Sequence, residues 1–260
     1  VSPYTKQRPD APDGFFEAEA AGLAWIAEAV PRGGARVVGV QAASPGRIDL
    51  DTVHEVRPTR EAARAFGAAL AVTHGTGAEA FGAPPAGYDG PCFIGRRPLT
   101  VVPTDAWGRF YAEQRVLPYA EAAADAGNLD PAGLHTVRRV CDVVAGGAFD
   151  DDEPPARLHG DLWGGNVLFD DGGAVLIDPA AHGGHRETDL AMLALFGLPH
   201  LQDVLEGYDE RAPLREGWRR RVPLHQLHPL AVHAAGHGPS YGSALVRAAE
   251  ATLREVRGRS

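Results

Sequence analysis

Apolar residues near the amino end recur at helical spacing. Between Gly14 and Val30, the residues Phe15, Glu19, Leu23, Ile26 and Val30 fall at steps of three and four, which predicts a helix with one stripe turned inward. Glu19 lies on that stripe, and a carboxylate withdrawn from water is costly unless a cation meets it. Lys6, in a short run before Arg8-Pro9-Asp10-Ala11-Pro12-Asp13, is the nearby partner. The alternative is a frayed Lys6 with Glu19 reaching to solvent. Further on, Ala35 to Val40 and Arg47 to Val53 read as strands joined by the turn Ser44-Pro45-Gly46.

From Thr59 the period becomes helical. Thr59 caps a helix running to His74, with Phe66, Leu70 and Thr73 on one stripe and Gly75 as terminator. The Gly- and Pro-rich stretch Gly75 to Pro103 reads as a long ordered loop. Asp105 opens a helix carrying Trp107, Phe110, Gln114 and Leu117, which Pro118 should kink. Asp130-Pro131 starts another, with Leu134, Val137, Cys141 and Val144 inward. Trp107 and Cys141 are core residues on this reading. The acidic run from Asp150 to Glu153 reads as a solvated connection, and Thr188 to Phe196 as a helix with Asp189 in its first turn.

At 260 residues and 44% hydrophobic content, the chain can bury a sizeable core. A net charge of -9 argues against nucleic acid as a partner, and the basic run Arg219-Arg220-Arg221 beside Trp218 reads as a solvated helix face. Cys92 and Cys141 lie far apart, without disulfide or zinc spacing. With no membrane-length apolar stretch and no visible targeting segment, reduced thiols in the cytoplasm are the simple expectation. The oligomeric state stays open.

Chemistry concentrates in Arg157-Leu158-His159-Gly160-Asp161-Leu162-Trp163-Gly164-Gly165-Asn166 and the following Ile177-Asp178. Asp161 ends a short strand in a loop, where a carboxylate can take a hydroxyl proton. Asn166 supplies an amide oxygen and Asp178 a carboxylate, the hard ligands that magnesium takes alongside phosphate oxygens. Val167 to Phe169 and Ala174 to Ile177, joined by Asp170-Asp171-Gly172-Gly173, form a hairpin that brings Asn166 and Asp178 together. The order of base, amide and carboxylate is that of kinase catalytic loops. Trp163 either packs on the loop or, the favoured reading, forms a flat wall for a sugar-derived acceptor. His182 and His185 have a metal-like spacing, but the glycines between them and the lack of a carboxylate partner argue against zinc. His225, His228, His233 and His237 read as polar, cleft-facing helix residues.

These residues resemble the fructosamine kinase, or ketosamine-3-kinase, family, relatives of aminoglycoside phosphotransferases and choline kinases. The match extends through Ile177-Asp178-Pro179-Ala180, His182 to Met192, Trp107 to Arg115 and Leu224 to Leu230. The resemblance implies an α+β, protein-kinase-like two-lobed fold, with a partial nucleotide-binding lobe at 1–58 and a helical catalytic and acceptor-binding lobe at 59–260. It implies ATP and Mg2+ as cofactors, Asp161 as base, Asn166 and Asp178 as metal ligands, and Lys6 with Glu19 at the phosphates. Asp51 and Val53 fall on the adenine side by position only, Asp189 supports the catalytic loop, and His159 stands with it as a structural residue. The acceptor implied is a ketosamine, either a small molecule or a glycated lysine, phosphorylated on its 3-hydroxyl in deglycation. The region from His225 to His237 is implied to line the acceptor pocket. Two alternatives stand beside this: a kinase for another small alcohol or an aminoglycoside, and a nucleotide-binding member with impaired catalysis. Family members begin with a glycine-rich hairpin over the phosphates, which nothing before Lys6 supplies, and Pro3 is expected to interrupt the run leading to it. A fragment, a late-begun gene model or an impaired enzyme would each account for this.

Overall fold

The structure, a computed structural model, describes residues 3–259. Strand β1 (Tyr4–Gln7) is followed by helix α1 (Phe15–Ala27) and strands β2 (Arg36–Val37), β3 (Val40–Ser44) and β4 (Arg47–Leu50). β4 lies between β1 and β3, antiparallel to both, and sets Lys6 opposite Ile48. Pro3 therefore stands outside the strand instead of interrupting it, and Lys6 is held in a ladder rather than frayed.

α1 stops short of Val30, which begins a 3-10 turn with Pro31 and is 38% exposed. Proline cannot donate the next helical hydrogen bond, so the inward stripe ends early. Phe16, Glu19, Leu23, Trp25 and Ile26 are the residues of α1 that α1 buries besides Gly22. The expected strand from Ala35 to Val40 is split. β2 pairs parallel with the Val175–Leu176 side of the hairpin expected after Asn166, whereas β3 joins the first sheet. Gly39 makes the break: its carbonyl accepts the Asp51 amide at 2.8 Å, and a Cβ there would stand 2.0 Å from Asp51 Oδ2. The expected strand ending at Val53 stops at Leu50, and residues 51–59 form no regular element.

Helix α2 (Arg60–Gly75) starts as its sequence requires, with Thr59 Oγ1 accepting the Ala62 amide at 3.1 Å. The long loop after it contains a hairpin of its own, β5 (Cys92–Ile94) and β6 (Arg97–Leu99), and an isolated bridge between Phe81 and Thr104. These pairings are short and flanked by Gly and Pro, so no period marked them. Helix α3 (Trp107–Phe110) then passes through a π-helical turn, Tyr111–Val116, into α4 (Leu117–Asp125). The wider turn precedes Pro118, which has no amide hydrogen to give the preceding turn. Helix α5 (Pro131–Ala145) is capped by Asp130 Oδ1, which accepts the Gly133 amide at 2.6 Å.

The remaining elements are β7 (Ala156–Leu158), β8 (Val167–Asp170), β9 (Gly173–Leu176), β10 (His182–Gly184), α6 (Glu187–Phe196), α7 (Leu201–Arg211), α8 (Trp218–His225), α9 (Leu227–His237) and α10 (Pro239–Arg259). β9 lies between β2 and β8, and β7 pairs antiparallel with β10. The largest core cluster unites α3, α4, α5, α9 and α10, and includes Trp107 and Cys141 as expected. A second packs α2 and α7 against the hairpin, around Phe66, Leu70, Phe169, Leu176 and Tyr208. Among the described residues, no helix is long and apolar enough to cross a membrane.

Two polar segments depart from expectation. Arg221 is buried, not part of a solvated face: its guanidinium bonds both oxygens of Glu187, at 2.9 and 2.5 Å. The acidic connection is tied down, with Glu153 paired to Arg186 at 2.6 Å and Asp151 to Arg215 at 3.1 Å.

Candidate active site

β7 delivers the chain into His159-Gly160-Asp161. Gly160 has φ +81°, and a Cβ there would lie 2.1 Å from the Ala180 carbonyl oxygen, so the turn admits no side chain. Asp189, fully buried in the first turn of α6, braces this turn. Its Oδ2 accepts the His159 amide at 2.8 Å and its Oδ1 the Gly160 amide at 3.0 Å, while His74 Nε2 stands 3.1 Å from Oδ2. Burial opposes ionisation of Asp189, but His74 and the amides outweigh it and hold the carboxyl below the ordinary range. His159 is pushed down by burial, so it is neutral. Its Nε2 donates to the Ile177 carbonyl at 2.9 Å, which leaves Nδ1 to accept the Asp161 amide at 3.2 Å.

Asp161 is pushed up to about 6, chiefly by desolvation, against a hydrogen bond from Asn166 that lowers it. Asn166 Nδ2 donates to the Asp161 carbonyl at 2.8 Å and reaches Asp161 Oδ2 at 3.3 Å. Its Oδ1 makes neither bond. The hairpin opposes Val167 to Leu176, and the Ile177 amide donates to the Asn166 carbonyl at 3.2 Å, so Asn166 and Asp178 meet at one end. Asp178 adopts φ 53°, in a region that L side chains rarely occupy, and its side chain is 43% exposed. Lys6 Nζ contacts Asp178 and lies 2.8 Å from Glu19 Oε1, joining β1, α1 and the hairpin in one cluster.

A cavity of about 410 Å³ is lined by Lys6, Glu19, Asp161, Trp163, Asn166 and Asp178, together with Arg8, Phe15 and Phe93. A second, of about 350 Å³, is lined by Asp51, Val53, Leu50, Val38, Leu168 and Ile177, and shares Lys6 and Asp178 with the first. The nine-residue stretch after β4 runs along the hairpin, its Val56 amide donating to Phe169 at 2.7 Å. Trp163 is 42% exposed, crosses Phe196 edge to face at 6.3 Å, and covers Gly165, where a Cβ would touch its ring at 2.3 Å. It therefore packs on the loop with one side and walls the cavity with the other.

The late histidines are not where the sequence reading puts them. His225 and His228 are buried, and none of His225, His228, His233 and His237 lines either cavity. Burial pushes His225 down to about 4 and His228 down to about 3, and His228 Nδ1 lies 2.6 Å from the Arg115 carbonyl. His185 does have a carboxylate beside it, Glu187, grouped with His225 within 4.8 Å. Arg221 already takes both oxygens of Glu187, and Thr188 Oγ1 sits 3.0 Å from His225 Nδ1, so the group reads as a buried polar network. Sequence reasoning missed His74 and Phe93, whose contacts come from distant segments, and Arg8, which it read only as part of the loop after Lys6.

Two lobes, a lysine–glutamate pair and a loop-borne carboxylate above an asparagine and an aspartate define a protein-kinase-like phosphotransferase fold. A choline/ethanolamine kinase family protein from Mesorhizobium loti shares this fold at TM-score 0.56 and 16% identity, over 95% of this chain and 85% of that one. The fructosamine kinase family model matches residues 4–255, and the chain belongs to that family, whose enzymes are phosphotransferases with an alcohol group as acceptor. A fructosamine-3-kinase candidate from Thermobifida fusca has a crystal structure similar at TM-score 0.89 and 49% identity, covering 97% of this chain and 85% of that one. A ketoamine kinase candidate of Enterococcus faecium is 32% identical over 245 residues, 92% of this chain and 83% of the relative.

Proposed function

We propose that this chain transfers the γ-phosphoryl group of MgATP to the 3-hydroxyl of a ketosamine, the sugar adduct of an amine or lysine, as a step in deglycation. The observation that carries this reading is the convergence, in one cavity, of a desolvated Asp161 with Asn166, Asp178 and the Lys6–Glu19 pair. Asp161 takes the proton of the attacking hydroxyl. Lys6, oriented by Glu19, meets the nucleotide phosphates. The second cavity, with the apolar surfaces of Val38, Leu50, Val53 and Leu168 beside the backbone of Asp51 to Val53, receives the adenine.

The donor set fits magnesium: the Asn166 amide oxygen and the part-exposed Asp178 carboxylate are hard ligands at the same end of the hairpin. When bound there, the ion offsets charge on the transferring phosphoryl group. Asp189 and His159 keep the base in place through the loop backbone. The lobes divide near residue 58, with β2 reaching across to pair with the hairpin. Phosphoryl transfer from MgATP to fructoselysine and ribuloselysine, with phosphorus NMR to locate the product ester, tests the assignment. Phosphate on the 3-oxygen is the expected result; no transfer to either acceptor, or an ester elsewhere, overturns it.

A further inference from the structure

Arg8 is the one cation lining the first cavity that no carboxylate approaches to hydrogen-bond distance among the described residues. Lys6, two residues earlier, is neutralised by Glu19 and Asp178. The nearest carboxylate to Arg8 among the described residues is that of Asp10, 3.8 Å from Nε and 74% exposed, while the Arg8 side chain is 19% exposed and its Nε is shut from solvent without a hydrogen bond. A guanidinium whose nearest carboxylate lies beyond hydrogen-bond distance keeps its donors for an arriving anion.

Its surroundings have the shape of a subsite. Arg8 leaves β1 at a turn, with its amide donating to Gly46 at 2.8 Å and its carbonyl accepting from Ala11 at 2.9 Å. The guanidinium lies over Phe15 at 4.5 Å, and Phe15 meets Phe93 at 5.3 Å. Stacking on an aromatic face fixes the plane of the fork while leaving its edge free for an anion. Phe15 and Phe93 also line the cavity, so one space holds Asp161 and Trp163 together with Arg8 and an aromatic pair. The cavity that Trp163 walls therefore has room, beside Arg8, for the amine substituent of a sugar-derived acceptor.

We infer that Arg8 is the anchor for a carboxylate on the amine half of the acceptor, so that the preferred substrate is the ketosamine of a free amino acid. This deepens the ketosamine reading and rests on it. The same oxyanion chemistry has a second source, a phosphate of the nucleotide, and the experiment separates the two.

The kinase is assayed with matched acceptors, the fructose adduct of glycine and that of glycinamide, in the native chain, Arg8→Gln and Arg8→Lys. The expected result is a carboxylate preference in kcat/KM of roughly tenfold to a hundredfold, the range of a charge-assisted hydrogen bond. Arg8→Gln should abolish it without changing the ATP KM, and Arg8→Lys should keep part of it. A native enzyme that uses both adducts equally overturns the anchor and leaves the ketosamine assignment standing. A rise in ATP KM shared by both acceptors in Arg8→Gln assigns the residue to the nucleotide and also overturns it. Failure to phosphorylate either adduct or fructoselysine overturns both readings. A folding defect would lower both rates together and would not change their ratio, so the ratio is the deciding quantity.

Discussion

Replacing Asp161 by Asn should make the protein more stable and nearly inactive. A carboxyl that titrates near 6 when folded, against an ordinary 3.8, is destabilised as the anion by the fold. The penalty is roughly 3 kcal/mol at pH 8, where the group is ionised, and about half that at pH 5, where the folded carboxyl is mostly protonated. Because Asp161 is half-buried, these are upper values. The sign follows from the raised folded-state value: the penalty is absent below about pH 4, grows between 4 and 6, and is complete above. Asn removes the charge and still presents an oxygen to Asn166 Nδ2, which reaches Oδ2 at 3.3 Å in the native chain. Urea unfolding of both proteins at pH 8 and pH 5 should show the variant more stable by about 1–3 kcal/mol at the higher pH and by less at the lower. Its kcat should fall on the order of 10² to 10⁴ through loss of the base. A variant less stable than the native chain at pH 8, or a gain that does not shrink at pH 5, would refute the desolvated base; normal turnover would refute its role.

In the native enzyme, kcat/KM should drop about tenfold per pH unit below roughly 6, since protonated Asp161 cannot accept the hydroxyl proton; a flat profile from pH 5 to 8 would contradict this. Trp163→Ala should raise the acceptor KM far more than the ATP KM, because its ring walls the cavity beside Asp161; steady-state kinetics with each substrate varied decides. Asp189→Ala strands two buried amides and His74, and should cost about 3–5 kcal/mol in denaturant unfolding. Gly160→Ala should abolish soluble expression or turnover, and a variant with native kinetics would show that the turn can move aside from Ala180.

The hairpin of the candidate site was legible because its information is local. Asp161, Asn166 and Asp178 lie within one loop and one turn, and alternating apolar residues fix which end of the hairpin they share. The Lys6–Glu19 pair was legible for a different reason: a carboxylate on an inward stripe demands a cation, and few were near. The late histidines went the other way. Polar residues on helices read as cleft-facing, but His225 is buried against Trp107 at 5.1 Å and beside Glu187, partners set by how α3, α6 and α8 pack. Arg221 was misread similarly, since three arginines in a row look solvated until Glu187 is brought beside the third. The split of Ala35 to Val40 escaped because its two halves are equally strand-like, and only the approach of Asp51 to Gly39 tells them apart.

The parallel pairing of β2 with β9 has a consequence for synthesis on the ribosome. Arg36 and Val37 emerge early, yet the strand they sit beside, opposite Val175 and Leu176, is made much later. Until then Lys6 and Glu19 are present without Asp178 or the strands that floor the cleft. A nascent chain halted before the hairpin therefore has β2 without its β9 partner and lacks Asp161, Asn166 and Asp178. The pairing that completes the floor also brings the anionic partner of Lys6 into place, so the lysine becomes fully neutralised only when the cleft is built.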